Sequence, residues 1–391
     1  MKKIICLLSF MLLVGTFNSL VYGVEKVEAY YADLFNDFTS TSYVLLEPES
    51  GEILVSNNSE EKLPVASICK LMTSLITLEK IDNGELSLTD CLVASEHACS
   101  MEGSQAFLDV GSSYSVSDLL KSVIVASAND SAVVLAEAIA GTENAFVVEM
   151  NKRAKDLGMN NTIYANATGL PAPNQYSTAM DTSLILKEIV KHDLFVEYSN
   201  IWMDTLKHSS GRETELVNTN RLIKYYSNCA AGKTGFTDEA GYCLASMAIN
   251  NDFKLIAVTL KCDKAQDRFK ESMDLFNYGF ANFENKKLID SDILLNQTIK
   301  VNGGKQNCAS CKFAEDFYVV SKKGDVKNYS IEIDLASCVT APKSENYVVG
   351  KATVVKEGKV IKEIPIVLAS DLVKQSYADI LDKVANNWAL K

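Results

Sequence analysis

The apolar positions of this chain change spacing along its length, and each regime predicts a different kind of element. Lys2 and Lys3 precede an apolar run from Ile4 to Val14, and Val21-Tyr22-Gly23 follows. A charged start, an apolar core and a small residue before a cut predict a cleaved secretory signal over residues 1–23. Beyond it, two strand pairs bracket a long helical stretch. Ser42 to Leu46 and Glu52 to Val55 flank Glu47-Pro48-Glu49-Ser50-Gly51, a hairpin signal. Tyr242–Ile249 and Lys254–Lys261 flank Asn250-Asn251-Asp252 in the same way. Between them the spacing is helical. It runs from Pro64 to about Ile81, and from Ser117 to about Ala140 with a break at Ser127-Ala128-Asn129-Asp130. It returns at Ala145–Leu157 and Thr182–Lys191, and Gln266–Phe283 closes the region. Strands at both ends with helices between predict an α+β domain over 24–283, its antiparallel sheet assembled from the two ends.

From about Glu284 the character changes. Thr298–Val301, Phe317–Val320, Tyr329–Leu335, Tyr347–Val355 and Lys359–Val367 are short alternating runs with Gly, Asn and Lys turns. They predict a small all-β sandwich over 284–371. Over 372–391, Tyr377, Ile380, Leu381, Val384, Trp388 and Leu390 recur at helical spacing. Such an amphipathic tail packs on its own β domain or lies on a membrane surface. No second apolar run of about 18 residues occurs, so no span after the signal is expected.

The stretch Pro64 to Thr73 holds the first chemistry. Val65, Ile68, Cys69, Leu71, Met72, Leu75, Ile76, Leu78 and Ile81 cover far more than one stripe, and a helix apolar nearly all round is buried. Pro64 suits a first-turn position. Ser67 and Lys70 lie three residues apart, on one face. A lysine in such surroundings is poorly solvated as a cation, so its pKa falls and it can deprotonate a hydroxyl. The helix start offers free N–H groups to an oxyanion. The same spacing arises by chance roughly once in a chain this long. It recurs at Ser59-Glu60-Glu61-Lys62, a polar copy that reads as solvated surface.

Composition narrows the classes. The 391 residues are 47% hydrophobic and 23% charged, which is globular and long enough for two domains. A net charge of −12 argues against nucleic acid and simple binding to anionic membranes. Of the ten cysteines, Cys6 leaves with the signal, and the scattered remainder do not form a disulfide framework. Cys308-Ala309-Ser310-Cys311 is the only CxxC, with no second pair and no histidine after His208. A local disulfide or two inert thiols fit it better than zinc. His97, His192 and His208 have no metal spacing, so no metal and no cofactor are expected.

Three pieces stand in order: Ser67-x-x-Lys70, Ser127-x-Asn129 and Lys233-Thr234-Gly235, the last just before a strand hairpin. This trio, usually with S-D-N in the middle, marks penicillin-binding proteins and class A β-lactamases. The runs Ser127-Ala128-Asn129-Asp130-Ser131-Ala132, Tyr176-Ser177-Thr178-Ala179-Met180-Asp181 and Gly232-Lys233-Thr234-Gly235-Phe236-Thr237 resemble the D-alanyl-D-alanine carboxypeptidases, low-molecular-mass penicillin-binding proteins of peptidase family S11. The resemblance covers roughly residues 35–283 and extends more loosely through the β domain. It implies a β-lactamase-like penicillin-binding domain that removes the terminal D-alanine of peptidoglycan stem peptides outside the cytoplasm. β-Lactams would inhibit it, and no cofactor is implied.

The resemblance also implies roles. Ser67 attacks the carbonyl of the penultimate D-alanine, Lys70 takes its proton, and Ser127 relays a proton to the leaving amine. Asn129 holds the substrate amide, and Lys233 and Thr234 meet the terminal carboxylate. The N–H groups of Ser67 and Phe236, the latter just after Gly235, form the oxyanion hole. Arg268 falls where family members often carry an arginine near the carboxylate; its other reading is a surface helix arginine. Cys69 departs from the family's usual threonine and is expected to face the core. A class A β-lactamase would place its glutamate about 36 residues after Ser127, where Ile163-Tyr164 stand. A transpeptidase usually brings a larger chain and an anchor.

Overall fold

The two predicted strand pairs meet in one sheet. The structure, a computed structural model, describes residues 31, 33–324, 329–381 and 384, and it divides into two units, Met1–Ala281 and Asn282–Lys391. The signal expected over residues 1–23 lies outside the described residues.

In the first unit, β1 (Ser42–Leu46) and β2 (Ile53–Asn57) precede a 3-10 turn, Ala66–Cys69, which runs into α1 (Lys70–Asp82). Then come β3 (Cys91–Val93), α2 (Glu96–Cys99), β4 (Ser113–Ser115), α3 (Val116–Val125), α4 (Asn129–Ala140) and α5 (Glu143–Asp156). After α6 (Ala179–Ile189) and α7 (Asp193–Ser199), β5 (Met203–Lys207) and β6 (Glu213–Val217) form a small hairpin ahead of α8 (Leu222–Tyr225). The chain then makes β7 (Cys229–Thr237), β8 (Gly241–Asn250), β9 (Phe253–Cys262) and α9 (Asp267–Asn282).

The main sheet is antiparallel throughout, in the order β2-β1-β9-β8-β7. Its middle strands are buried almost end to end, because helices cover both faces. On one face α9 approaches β9 and β1 through Gly279, where a Cβ would stand 2.4 Å from a Leu255 methyl. On the other side α1 is the hub. Every residue from Lys70 to Leu78 is buried, and α4, α6 and α3 pack around it. Each fully buried Leu or Ile there contributes about 1.5–3 kcal/mol relative to exposure.

The start of that helix differs from the sequence expectation. Pro64 does not open it. Leu63 still pairs as a bridge with Ser177, and Ala66 takes a left-handed φ of 48°. The α-helix begins only at Lys70, so Ser67 sits in the tighter 3-10 turn. The break at 126–128 falls as expected, between α3 and α4. The β3/β4 and β5/β6 pairs were not expected, since β3 and β4 are three residues long and β5 and β6 are mostly exposed.

The second unit is all β. Its strands are β10 (Phe283–Ile289), β11 (Leu294–Asn302), β12 (Cys308–Phe313), β13 (Phe317–Lys322), β14 (Tyr329–Leu335), β15 (Cys338–Thr340), β16 (Val348–Lys356) and β17 (Lys359–Leu368). Six form one sheet, in the order β14-β16-β17-β12-β11-β15, and β10 pairs with β13. Ile289, Val354 and Ile364 bury together beneath Phe313 and Phe317, joining the two sheets. On β12, Cys308 is exposed and Cys311 buried. Residues three apart on a strand point to opposite faces, so the pair stays as two free thiols. The tail also begins later than expected. Leu372 is buried and bridges Lys343, and Lys374 bridges Gly304, so the β unit still holds this backbone. Helical structure starts at Tyr377, capped by Ser376. No single described helix is long and apolar enough to cross a membrane.

Candidate active site

Ser67 lies where the 3-10 turn presses against the edge strand β7. A Cβ on Gly235 would stand 2.6 Å from the Val65 carbonyl and 3.2 Å from the Ile68 amide. Glycine is therefore needed at Gly235 for β7 to pass beside the Ser67 backbone. From the opposite side Gly169, at φ 79°, packs on the same turn. A Cβ there would fall 1.9 Å from the Ala66 carbonyl.

Lys70 is fully buried, and its Nζ donates to Ser67 Oγ at 2.9 Å and to the Thr168 carbonyl at 2.6 Å. Burial pushes its pKa down to about 7, against a smaller upward pull from Cys69 and Asp130. The Thr168 loop is propped from behind. Asn166 Oδ1 accepts from Thr168 and Gly169 amides, and Glu143 Oε1 accepts from the Ala167 amide at 2.9 Å.

Ser127 takes a left-handed φ of 62° between α3 and α4, a strained conformation for a non-glycine. That geometry turns its hydroxyl to Lys233, whose Nζ donates to Ser127 Oγ at 2.7 Å. Lys233 is buried, and its pKa falls well below the usual lysine value. Burial is the main cause, followed by repulsion from Lys70 and Arg268. Two serine–lysine pairs thus face one another. Asn129 opens α4, with its amide N–H bonded to the Ser104 carbonyl at 2.7 Å and its side-chain Nδ2 to the Glu102 carbonyl. Its Oδ1 is buried without a partner. Next to it, Asp130 accepts from the Ala106 and Leu108 amides, fixing the 102–108 loop at the rim.

On β7, Thr234 Oγ1 donates to Thr219 Oγ1 at 2.7 Å. Phe236 stacks on Tyr242 with centroids 4.3 Å apart and is half exposed. Arg268, in the first turn of α9, is not a free surface arginine. Its Nη1 donates to the Gly235 carbonyl at 2.9 Å, and its guanidinium lies 5.3 Å from the Tyr242 ring centre. Its Nε is buried without a partner. The structure therefore brings Ser67, Lys70, Ser127, Asn129, Lys233, Thr234, Gly235, Phe236 and Arg268 around the edge of β7. The three histidines lie elsewhere, apart from one another. His97 meets Glu143, His192 meets Asp82, and His208 meets Tyr114 and Thr214.

A family model described as D-alanyl-D-alanine carboxypeptidase, peptidase S11, matches residues 28–264. The chain belongs to this family. A second model, the C-terminal domain of penicillin-binding protein 5, matches residues 283–374. Among S11 relatives, D-alanyl-D-alanine carboxypeptidase DacF of Bacillus subtilis is 35% identical over 351 residues, 89% of each chain. DacA of Escherichia coli K12 is 30% identical over 95% of this chain and 91% of its own. The crystal structure of penicillin binding protein 5 from Haemophilus influenzae superposes with a TM-score of 0.71 at 30% identity, covering 86% of this chain and 98% of that one.

Four participants in this S11 site escape a motif search. Thr168 acts through a carbonyl, which any residue carries. Thr219 hides in Asn218-Thr219-Asn220, whose asparagines hold the loop by side-chain bonds. Glu143 is the first residue of α5, with nothing in its spacing to tie it to residue 167. Gly169 reads as an ordinary loop glycine.

Proposed function

We propose that this S11 carboxypeptidase cleaves the terminal D-alanine from peptidoglycan stem peptides through an acyl-enzyme on Ser67. The buried Ser67–Lys70 pair carries this reading. A neutral lysine has a lone pair and two N–H groups. With one N–H held by the Thr168 carbonyl, the lone pair can face the Ser67 hydroxyl and take its proton during attack. The Ser67 and Phe236 amides then receive the oxyanion. Ser127, held by Lys233, gives its proton to the departing amine as it receives the one that Lys70 took from Ser67, and the leaving D-alanine carries it away. Water next attacks the ester on Ser67 and regenerates the enzyme. Asn129 Oδ1, buried and unpartnered, accepts from a substrate amide. The substrate carboxylate meets Thr234, Lys233 and Arg268. Its negative charge favours protonated Lys233, offsetting the desolvation that otherwise strips it.

The residue 1–23 segment directs export, so the site works outside the cytoplasm. The segment from Tyr377 onward lies on the membrane surface through its apolar face. The β-lactamase alternative lacks its base, because Ile163 and Tyr164 occupy the expected place and neither can ionise near neutral pH.

The decisive experiment is mass spectrometry after exposure to penicillin. A covalent adduct is expected on the Ser67 peptide and should be absent in folded Ser67→Ala. Incubation with a pentapeptide ending in D-Ala-D-Ala should release free D-alanine. An unlabelled, folded wild-type protein would sink the assignment.

A further inference from the structure

The tip of the β5/β6 hairpin, residues 208–212, is bonded to the loop that leads away from Asn129. Four side chains make the junction. Arg212 Nη2 donates to the Phe107 carbonyl and, at 2.8 Å, to Asp109 Oδ1. Ser210 Oγ donates to Asp109 Oδ2 at 3.1 Å, and Ser209 Oγ lies 3.1 Å from Ser112 Oγ. His208 has a wholly buried side chain, with Nδ1 2.8 Å from Tyr114 Oη and Nε2 2.8 Å from Thr214 Oγ1.

The other end of the same loop holds the site. The Glu102 carbonyl accepts from Asn129 Nδ2, the Ser104 carbonyl accepts from the Asn129 amide, and the Ala106 and Leu108 amides donate to Asp130. Because the Glu102 carbonyl fixes Nδ2, it also fixes the direction of Oδ1, which is buried and unpartnered. Phe107 stands between the two amides held by Asp130, with a left-handed φ of 58° and an exposed ring. A bulky residue keeps that conformation only where its surroundings impose it. Arg212 contributes the restraint by donating to the Phe107 carbonyl.

Counting donors assigns the proton at the hairpin tip. The Asp109 amide donates to Tyr114 Oη at 2.9 Å, which leaves the phenol its one proton for His208 Nδ1. Arg212 Nη2 also donates to Nδ1, at 3.2 Å, and a guanidinium accepts nothing. Nδ1 is therefore an acceptor, and the ring is neutral with its proton on Nε2. A second proton would set an N–H against two donors. Burial, then Arg212, holds the His208 pKa below its usual 6.5; the carboxylates of Asp109, 3.7 Å away, and Asp130 pull more weakly the other way.

We propose that Arg212 and His208 are positioning residues for the reaction: by holding the 102–109 loop they aim Asn129 Oδ1 at the substrate amide. The proposal rests on the carboxypeptidase reading, which gives Asn129 that task.

Two β-lactams separate this role from general stability. Benzylpenicillin carries a side-chain amide for Asn129, and penicillanic acid has the same ring and carboxylate without it. Lys70 and Lys233 serve both alike, so the ratio of their acylation rate constants cancels those titrations and reports the amide contact. In the wild type the ratio should hold steady from pH 7 to 8 and fall in acid, below about pH 6.5, as His208 takes up a proton. Arg212→Ala should lower the ratio about tenfold at pH 7.5, as fits loss of one hydrogen bond to the substrate. Arg212→Lys, which keeps one donor group, should restore part of it. His208→Asn can accept from Tyr114 without titrating, so it should keep the ratio at pH 7.5 and abolish the fall in acid. Circular dichroism reports that each protein is folded at each pH. An unchanged ratio in folded Arg212→Ala, with both rates lowered together or not at all, overturns the proposal. So does a ratio that stays flat to pH 4.5 in the folded wild type, or a fall in acid that survives in His208→Asn. Failure of both β-lactams to acylate the wild type instead overturns the carboxypeptidase reading, and this proposal with it.

Discussion

Lys70 concentrates the conflict between stability and function at a single side chain. Burial lowers its pKa from 10.5 to about 7. Acylation by penicillin should therefore rise with pH around a midpoint near 7, following the neutral amine, and stopped-flow labelling from pH 5 to 9 measures it. A flat profile would remove Lys70 as the base. The same shift sets a stability trend. Between about pH 7 and 10.5 the unfolded chain holds a proton that the folded chain lacks, so stability from this group rises with pH across that window. Below pH 7 both forms are protonated, and the buried cation destabilises the fold in full. Lys70→Met should thus raise the melting temperature by a few degrees at pH 6, roughly 2–4 °C per kcal/mol. The gain should shrink toward pH 10, where the variant only lacks the bonds to Ser67 and Thr168. Thermal melts at pH 6, 8 and 10 check the sign.

Among elements, the 3-10 turn at Ala66–Cys69 depends on its neighbours more than on its own sequence. Gly169 and Gly235 press it from two sides, and both tolerate nothing larger than hydrogen. Gly169→Ala combines a left-handed φ with a contact that backbone must absorb, so a loss of about 2 kcal/mol or more is expected. Denaturant melts report that loss, and the penicillin labelling rate should fall with it because Thr168 moves. This is also where the sequence was least legible. The long helices and the two main hairpins follow from hydrophobic period alone, and the break at Ser127 was visible as a polar interruption. The late start of α1 was not, because Pro64 is a good helix opener locally. Tertiary pairing of Leu63 with Ser177 overrides it. The motif residues could be read because the proposed chemistry falls on their side chains. Thr168 and the β3/β4 pair could not, because they act through backbone groups that any residue supplies.

At the scale of the molecule, the tail gives a direct test of attachment. Deleting residues 377–391 should abolish co-sedimentation of the full protein with phospholipid vesicles while D-alanine release in solution persists. Binding unchanged by the deletion would reassign the tail to packing. The first unit carries a different lesson in its sheet order. Ser42 pairs with Leu260, and Glu271 accepts from the Thr39 and Ser40 amides, so the two ends of the unit are stitched together. Contacts this distant in sequence make folding slow, since a long loop must close before they form. Ser67 and Lys70 emerge early in synthesis, yet β7 begins 162 residues after Ser67, at Cys229, and β9 ends 195 residues after it, at Cys262. Ser67 therefore meets Gly235, and Ser127 meets Lys233, only when the unit is essentially complete. Assembly of the site is tied to the arrival of its last strands, so a chain interrupted before them carries an unaccompanied serine.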